Sequence, residues 1–495
     1  MIKKTDQDQI QNYLFDASNT KGYCDEVFFP ENENEVKEVF KSNSENKTPV
    51  TISGNRTGLT GAAVPYGGVV ISTEKLNKII KLSDNLVIVE PGVILSDLQK
   101  YLNEKGFFYP PDPTETSCFI GGTVATNASG ARTFKYGATR NFVQSLEIIL
   151  TNGNKINLDR GKTYAKDNQL ELKDESGKIY NINVPDIKMP STKNAAGYFC
   201  KPNMDAIDLF IGSEGTLGTI TKIGLKIHHT PETIVSSVVF FNAEKDALEF
   251  VNEARLKSRR VRSLSTFAAK ESSDENSINA LALEYFDENA LRFLQNHFNK
   301  IPLGAKTAIW FEQDCKKSMQ ENILDKWIKL ISDHNGDLDN SWFALTQKEF
   351  DEIVGFRHSI SEKVNEFIYQ HGFRKLGTDV AVPDKNFPSF YESIKNLVRE
   401  HNLEFVAYGH IGNSHIHLNM LPKTEEEFTT GKKVYKEICL LALSQGGTFS
   451  AEHGVGKNKT DYLLSMYGEE NIQKMKQMKE VFDPDLILCK GNLFN

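Results

Sequence analysis

Short apolar runs separated by turn-forming residues dominate the first part of the chain. Runs of this length between turns predict β-strands, and they are PVTIS (49–53), GGVVIS (67–72), NLVIVEPG (85–92) and SLEIILTNG (145–153). Between them, Leu95, Leu98 and Leu102 recur at helical spacing before Gly106, which predicts a short helix with a glycine stop. This mixture of strands and short helices indicates an α/β or α+β unit.

The pattern changes after Thr230, where longer helices alternate with strands. The strand-like run SSVVFF (236–241) precedes a helix whose apolar face holds Ala247, Leu248, Val251 and Ala254. The run TAIWFE (307–312) precedes a second helix, whose apolar face holds Ile323, Leu324, Trp327, Ile328 and Ile331. Two such repeats predict a split βαβ sheet with helices on one side. We expect three parts, at residues 1–230, 231–450 and 451–495.

Composition narrows the choice of partners and compartment. The 495 residues include 58 Lys and Arg against 66 Asp and Glu, a net charge of -8, so we expect no nucleic-acid partner. The six cysteines form no CxxC pair, which favours a reducing compartment. No apolar stretch is long enough to span a bilayer. We expect a cytoplasmic protein with no integral membrane segment, and peripheral association with a membrane stays open.

A glycine-rich loop follows the strand-like run at Pro49. It reads Ser53-Gly54-Asn55-Arg56-Thr57-Gly58-Leu59-Thr60-Gly61 and combines glycines with hydroxyl, amide and guanidinium side chains. Such a loop can turn several backbone N–H groups inward and add side-chain donors, as a diphosphate requires. It matches neither the Walker A pattern nor G-x-G-x-x-G. An ordinary turn without a ligand is the alternative.

Two further clusters of small residues make a cofactor site the better hypothesis. Pro110-Pro111-Asp112-Pro113 precedes a stretch rich in Gly, Ala and Thr at 121–130, and the segment 212–218 reads GSEGTLG. Rigid prolines beside consecutive glycines predict a stretch of backbone with little side-chain bulk, against which a flat ligand can lie. Ordinary loops would not require three such clusters of small residues in one predicted domain.

These segments carry a family resemblance. SGNRTGLTGAAVP, VEPGV, PPDP, IGGTVATNASGARTFKYG and FIGSEGTLGTITK resemble the FAD-binding domain of the vanillyl-alcohol oxidase superfamily. The branch is that of glycolate oxidase D subunits, D-lactate dehydrogenases and D-2-hydroxyglutarate dehydrogenases, and the resemblance covers nearly the whole chain. It implies an α+β fold with a two-part PCMH-type FAD-binding domain, a ferredoxin-like α/β cap domain for the substrate, and a C-terminal helical segment that returns to the FAD domain.

The same resemblance implies which residues bind FAD. Residues 54–58 are expected to wrap the diphosphate, Gly121 and Gly122 to line the flavin, and residues 214–220 to meet the adenosine side. The predicted cofactor-binding residues are Ser53, Gly54, Asn55, Arg56, Thr57, Gly58, Thr60, Gly61, Pro111, Asp112, Ser117, Gly121, Gly122, Thr126, Ser129, Glu214, Gly215, Gly218 and Ile220. Some relatives attach flavin through a histidine near the loop. This chain has Ala62 and Ala63 there, so we expect non-covalent FAD.

Histidines cluster near the C-terminal end of the chain. His410, His415 and His417 lie within eight residues, and Glu452 and His453 follow between small residues. Two imidazoles and a carboxylate are a common ligand set for a divalent metal. His415 and His417 face one side of an extended strand, and His410 joins them only if residues 412–414 bend the chain. The alternative for each histidine is a purely structural role.

The resemblance gives these residues roles. It implies that His410, His417 and Glu452 bind one divalent metal ion, Zn or Mn, and that His453 is the catalytic base. Two segments depart from the family pattern. At 412–415 many relatives read Gly-Asp-Gly-Asn, whereas this chain reads Gly-Asn-Ser-His. Relatives also often end in Asn-Pro-Gly-Lys, where this chain has residues 489–492, Cys-Lys-Gly-Asn.

Arg357 completes the predicted catalytic set. Its planar guanidinium can pair with a carboxylate through two hydrogen bonds, and the resemblance implies that it clamps the substrate carboxylate; a surface salt bridge is the alternative. Relatives that act on 2-hydroxyglutarate tend to have a lysine where this chain has Gly377, so a second substrate carboxylate is not expected. We expect an FAD-dependent dehydrogenase that oxidises a small D-2-hydroxy acid, D-lactate above all, by hydride transfer to flavin N5.

Several alternatives stay open from the sequence. One is a flavin oxidase that uses O2, a second is the flavin subunit of a glycolate-oxidase-type complex, and a third is a metal-dependent hydrolase that uses the histidine cluster. The expected electron acceptor is a quinone, a cytochrome or an electron-transfer protein, and a homodimer is expected as the assembly.

Overall fold

The computed structural model describes residues 1–267 and 277–494. The first part of the chain, up to residue 229, contains two main sheets and short helices. Its strands are β1 (Ile2–Lys4), β2 (Glu26–Phe29), β3 (Val50–Ser53), β4 (Val69–Ser72), β5 (Ile79–Ser83), β6 (Leu86–Val89), β7 (Phe107–Phe108), β8 (Val143–Ile149), β9 (Lys155–Asp159), β10 (Gln169–Lys173), β11 (Ile179–Asn183), β12 (Thr219–Lys226) and β13 (His228–His229). Its helices are α1 (Gln7–Ile10), α2 (Glu33–Ser44), α3 (Leu95–Asn103), α4 (Ile120–Ala125), α5 (Thr133–Tyr136) and α6 (Ile207–Phe210).

The two main sheets form the two halves of this part. A four-stranded sheet has the order β1-β2-β4-β3, with β2, β4 and β3 parallel. A five-stranded antiparallel sheet has the order β5-β6-β12-β8-β9. The helix α3 buries Leu95, Leu98 and Leu102, as their spacing predicts, and Gly106 follows with a positive φ of 78°. The predicted strands at 49–53, 67–72, 85–92 and 145–153 are confirmed as β3, β4, β6 and β8; the first three are shorter than predicted, and β8 begins two residues earlier and ends at Ile149.

The second part is built on a seven-stranded sheet. Its strands are β14 (Thr233–Phe241), β15 (Ala282–Asp287), β16 (Thr307–Cys315), β17 (Gly336–Phe343), β18 (Leu376–Gly377), β19 (Phe405–Gly409) and β20 (His417–Met420), in the order β17-β14-β16-β15-β19-β20-β18. Its helices are α7 (Glu244–Phe267), α8 (Glu288–Gln295), α9 (Gln320–Asp333), α10 (Gln347–Gln370), α11 (Phe387–Glu400) and α12 (Glu425–Ser444).

Helices cover both faces of this sheet. The two helices predicted from the βαβ repeats, α7 and α9, lie on the same face, where Phe250, Phe311 and Trp327 pack together. The opposite face is covered by α8 and α10, with Trp310 and Phe356 in its core. The expectation of helices on one side is therefore wrong for the sheet as a whole. Because β14–β16 bury both faces, their apolar runs are nearly continuous and do not show which face a helix covers.

The C-terminal part returns to the first part, as predicted. The helix α13 (Thr460–Phe482) is kinked at Gly468. Beyond it the chain runs beside β3, where the Val50 N–H donates to the Ile487 carbonyl and the Cys489 N–H donates to the Val50 carbonyl. This return places residues 451–459 between the sheets of the first part and the seven-stranded sheet.

Candidate functional site

A tight bend brings the histidines together. The strand β19 ends at Gly409, a short turn follows, and Ser414 adopts a left-handed conformation with φ of 52°. The Ser414 hydroxyl donates to Asp384 at 2.7 Å, and Arg255 donates to the Ile411 carbonyl at 2.6 Å. The bend expected at residues 412–414 is therefore present. It directs His410 back towards His417, and their ring centroids lie 5.7 Å apart.

His410 and His417 are arranged as a metal centre would require. The Nδ1 atom of His410 lies 2.7 Å from Glu284 Oε1, and that of His417 lies 3.0 Å from the Thr378 carbonyl. Both Nε2 atoms face Glu452, at 3.4 Å for His410 and 3.1 Å for His417. Anchoring one ring nitrogen orients the other towards a metal. The ligand atoms of the two histidines, His415 and Glu452 lie within 4.8 Å of one another, so these residues fit a divalent ion.

A buried lysine occupies the other side of Glu452. The Lys193 ammonium donates to Glu452 Oε2 at 2.6 Å and lies 3.3 Å from Nδ1 of His415. The Ser129 hydroxyl donates to the same carboxylate oxygen at 3.2 Å. Burial opposes ionisation of Glu452, but Lys193 and His410 outweigh it and hold the pKa of this carboxyl well below its ordinary value. The carboxylate is thus ionised and fixed from both sides.

Asp379 organises the segment that carries His453. It accepts hydrogen bonds from the backbone N–H groups of Glu452 and His453, from the Ser450 hydroxyl and from the Lys459 ammonium. Burial opposes its ionisation, yet His453 and Lys459 hold the pKa of Asp379 well below its ordinary value. Its Oδ2 also lies 3.3 Å from His453 Nδ1. With a carboxylate beside Nδ1, the proton belongs on Nδ1 and Nε2 stays free to accept another.

The His453 ring borders the histidine cluster. It stacks on His417 with a centroid separation of 5.5 Å, and its Nε2 lies 3.7 Å from Glu452 Oε1. Burial lowers the pKa of His453 to about 4, against the opposing effect of Asp379. The ring is therefore neutral at pH 7, which is the form that a general base needs.

Arg357 lies on the buried side of α10. Its Nε is 3.6 Å from Glu284 Oε2, and its guanidinium lies 5.8 Å from the centroid of the Trp310 ring. Among the residues that the structure describes, none forms a hydrogen bond with this guanidinium. Glu284 touches both Arg357 and His410, so it links the predicted carboxylate clamp to the metal centre.

A second arginine joins the two parts of the chain at this point. Arg132, which follows the second glycine cluster, lies 3.3 Å from Glu312 on β16 and 3.8 Å from Asp112. Glu312 is fully buried, and its Oε1 has no hydrogen-bond partner among the described residues. Burial raises the pKa of both Asp112 and Glu312. Asp112, predicted to bind FAD, is thus placed against Arg132 at the junction.

The glycine clusters contain open positions that a flat ligand could fill. An added Cβ at Gly58 or Gly122 would meet no atom within 4 Å, and one at Gly54 would meet only Phe119, at 3.9 Å. Gly121, by contrast, packs directly on Pro91, where a Cβ would lie 2.5 Å from its side chain. The open glycines leave the space that the predicted FAD site needs, whereas Gly121 is required for close packing.

The other predicted cofactor residues fall into two groups. Several lie along the 53–61 loop. Ser53 is buried at the end of β3, Asn55 donates to the Ser117 carbonyl, Arg56 lies over the Tyr13 ring, and Thr57 is half-buried. The Thr60 hydroxyl donates to the His453 carbonyl, and Gly61 has a positive φ; in the neighbouring segments Pro111 is buried and Thr126 donates to the Gly122 carbonyl. The rest hold strands and segments together: Glu214 accepts from the Val455 and Gly456 N–H groups, Gly215 packs on Cys489, Gly218 packs on Ile148 and Ile220 lies in β12.

Sequence reasoning missed three residues of this site. Lys193, Asp379 and Glu284 are single charged residues outside any recognisable spacing pattern. His415, the third histidine of the cluster, is fully buried, and its Nε2 lies 3.3 Å from Asp379. Burial and the Lys193 ammonium hold the pKa of His415 well below its ordinary value.

Comparison with known proteins agrees with this geometry. Residues 24–159 match a family model described as FAD binding domain, and residues 230–493 match one described as FAD linked oxidases, C-terminal domain. A D-lactate dehydrogenase of Anaerostipes hadrus is 30% identical over 474 residues, covering 93% of this chain and 87% of that protein. The glycolate oxidase subunit GlcD of Bacillus subtilis is 28% identical, covering 97% and 92%.

A solved structure of alkyldihydroxyacetonephosphate synthase has the same fold. It superposes with a TM-score of 0.66 at 14% identity, covering 98% of this chain and 81% of that one. At this identity the likeness concerns the fold alone. Within the described residues, no helix combines the length and the apolar character that crossing a bilayer demands.

Proposed function

Given that this chain belongs to the FAD-linked oxidases, we propose that it oxidises a D-2-hydroxy acid, with D-lactate as the preferred substrate, to the 2-oxo acid. The chain is an FAD-dependent oxidoreductase of the branch that contains D-lactate dehydrogenases, glycolate oxidase D subunits and D-2-hydroxyglutarate dehydrogenases. The choice of substrate and acceptor is the proposal. One observation carries it: Glu284 connects Arg357 to His410, and His410 and the proposed base His453 both border Glu452.

Arg357 orients the substrate through its carboxylate. Its guanidinium is buried, lies beside Trp310 and makes no hydrogen bond with the described part of the chain. A buried cation with free N–H groups favours an anion with two oxygens in one plane. A 2-hydroxy acid bound there places its hydroxyl-bearing carbon towards His410 and His453.

The charges around Arg357 favour a substrate with a single carboxylate. Two arginines, Arg357 and Arg132, share the pocket with the carboxyl groups of Glu284, Glu312 and Asp112. Arg132 already pairs with Glu312 and Asp112, so Arg357 is the arginine with free N–H groups, and a second substrate carboxylate would gain no further free arginine. This balance supports lactate over 2-hydroxyglutarate, and it agrees with Gly377 in place of a lysine.

His453 takes the hydroxyl proton. Its Nδ1 faces Asp379, so its Nε2 is the atom that accepts the proton, and the neutral ring at pH 7 is ready to do so. Bound FAD supplies the electron chemistry by accepting the hydride from C2 at N5. We take the FAD to be non-covalent, because no histidine adjoins the 53–61 loop.

His410, His417 and Glu452 would hold one divalent metal ion, Zn or Mn. Both Nε2 atoms point at the carboxylate, and both Nδ1 atoms are anchored. Such an ion supplies positive charge that favours the deprotonated hydroxyl. Elemental analysis of protein purified without a histidine tag tests the site, with less than about a tenth of an equivalent counting against it.

We propose a dehydrogenase that passes electrons to a quinone, a cytochrome or an electron-transfer protein. An oxidase would instead be reoxidised rapidly by air in stopped-flow experiments. A flavin subunit that depends on a partner would show no dye reduction on its own. The hydrolase alternative loses its basis, because the chain belongs to a family of FAD-linked oxidoreductases.

The decisive experiment measures bleaching of the bound flavin by a panel of D- and L-2-hydroxy acids without oxygen. We expect D-lactate to bleach it, and Arg357→Met to raise KM by a factor of about 100 or more, with Arg357→Lys intermediate. Arg292→Met, which removes an exposed arginine on α8, is the matched control and should match the wild type. A flavin that no hydroxy acid bleaches, or an unchanged KM in Arg357→Met, would refute the proposal.

A further inference from the structure

Lys457 carries a positive charge that no carboxylate neutralises. Its side chain is half-buried, and its ammonium donates to Asn492 Oδ1 at 2.5 Å and lies 5.0 Å from the centroid of the Tyr66 ring. It forms no ion pair with any residue in 1–267 or 277–494. Cys489, Glu214 and Asp16 act on its pKa electrostatically, and none of them forms an ion pair with it. A cation removed from water without an anion is unfavourable, so such sites normally have a partner.

The two carboxylates that act on Lys457 electrostatically are occupied elsewhere. Both carboxylate oxygens of Glu214 accept backbone hydrogen bonds, from Val455 and Gly456 at 2.7 Å each. Asp16 accepts from the Ser18 N–H and hydroxyl. Burial lowers the pKa of Lys457 to about 8, as expected for an ammonium that has lost water without gaining a counterion. The described part of the chain thus gives Lys457 no carboxylate partner, and its ammonium is available to an anion from outside.

Lys457 is fixed against the end of the glycine loop. Its backbone N–H donates to the Thr60 carbonyl at 3.0 Å, and the next N–H, that of Asn458, donates to the same oxygen at 3.1 Å. Asn492, which holds the ammonium, donates through Nδ2 to the carbonyl of Ala62, two residues further along, at 2.8 Å. These bonds also orient the amide, because its nitrogen is used by carbonyls and its oxygen faces Lys457.

We infer that Lys457 supplies a counter-charge for the diphosphate of the bound dinucleotide, at the end of the 53–61 loop. The loop itself provides backbone N–H groups, glycine space and one arginine. Lys457 adds a cation held by Asn492, from a segment 400 residues away that nothing in the sequence pattern connects to the loop. This inference rests on the expected placement of the diphosphate at that loop, so both need separate tests.

The test measures FAD binding to apoprotein by quenching of flavin fluorescence. We expect Lys457→Met to weaken FAD binding at least tenfold. The affinity for ADP, measured by competition with FAD, should fall by the same factor. Riboflavin, which has no phosphate, should bind equally to both proteins. Lys490→Met removes an exposed lysine from the same C-terminal region and is the matched control, with unchanged affinity expected.

Moving the charge provides a second test. Asn492 already touches the Lys457 ammonium, so a lysine at 492 can place its own ammonium there. The double variant Lys457→Met/Asn492→Lys should recover most of the FAD affinity. Thermal melting checks that each variant folds. If Lys457→Met does not fold, Lys457→Gln replaces it as the variant that removes the charge.

The outcomes separate this inference from the placement of the loop. Gly58→Val inserts a side chain where no atom lies within 4 Å, and it should block FAD if the loop holds the diphosphate. Unchanged binding in Gly58→Val would overturn both the loop placement and the inference. Blocked binding in Gly58→Val with FAD affinity within twofold of wild type in Lys457→Met would overturn the inference alone. Equal losses of riboflavin and FAD binding in Lys457→Met would also overturn it.

Discussion

Asp379→Asn should separate catalysis from folding at His453, the proposed base. Asp379 is fully buried and accepts four hydrogen bonds, one of them from the Lys459 ammonium. An asparagine oxygen can keep only some of them, and Lys459 loses its counter-charge. Breaking a buried pair of this kind costs about 3–5 kcal/mol of folding free energy. The variant should therefore melt at a clearly lower temperature than the wild type.

The effect on catalysis has a different cause. The amide NH2 of asparagine donates hydrogen bonds, so a ring nitrogen facing it is favoured in its unprotonated form. The proton of His453 then moves to Nε2, which can no longer act as the base. We expect the rate of flavin reduction at saturating substrate to fall by a factor of about 100 to 10,000. Anaerobic stopped-flow bleaching of the bound flavin measures this rate directly.

Asp483→Asn is a matched control for this experiment. Asp483 is also fully buried and accepts hydrogen bonds from a lysine, Lys479, and from two backbone N–H groups, but it has no histidine partner. It should lose a similar amount of stability while its bound flavin is still reduced at the wild-type rate. The reasoning is wrong if Asp379→Asn reduces flavin normally, or if both variants slow by the same factor.

Three further predictions concern charge and backbone conformation. Burial raises the pKa of Glu214 to about 7, above its unfolded value, so its contribution to stability is complete at low pH and is lost as the pH rises through 7. Glu214→Gln should flatten the fall in melting temperature between pH 5 and 8, and an unchanged slope would contradict this. Ser414→Gly and Ser414→Ala should both lose stability because the bond to Asp384 is gone, but glycine should be about 1 kcal/mol more stable in this left-handed position, measured by urea unfolding. Lys193→Met should bind Zn²⁺ at least about tenfold more tightly in calorimetric titration, because the ammonium beside Glu452 repels the ion; weaker binding would mean that it mainly orients the carboxylate.

Much of the fold follows from local patterns. Isolated apolar runs between turn residues predicted β3, β4, β6 and β8, and helical spacing predicted α3, whose buried leucines lie on one face. The hairpin β10–β11 also carries a local signal, because its buried residues Leu170, Leu172, Tyr180 and Ile182 alternate with exposed residues on either side of Gly177. The helices on the second face of the large sheet could not be inferred, since its central strands are apolar on both sides.

The candidate site was predictable only where residues lie close together in the sequence. The histidines at 410–417 and the pair at 452–453 could be found because clustering of a rare residue type is itself a signal. Lys193 touches Glu452 across 259 residues, and no local rule connects them. Asp379 likewise acts on His453 from 74 residues away. Such contacts depend on how the three parts pack, which single-sequence patterns do not contain.

The proposed base and the proposed substrate clamp are held by different contacts. The segment that carries His453 is held from both parts of the chain: Glu214 holds Val455 and Gly456, Thr60 bonds the His453 carbonyl, and Asp379 of the cap accepts from the His453 N–H. Arg357 instead belongs to α10, which packs on the large sheet of the cap. With the proposed roles, a change in α10 and its neighbours alters the substrate clamp without removing any of these contacts of the His453 segment, so one scaffold can serve different hydroxy acids.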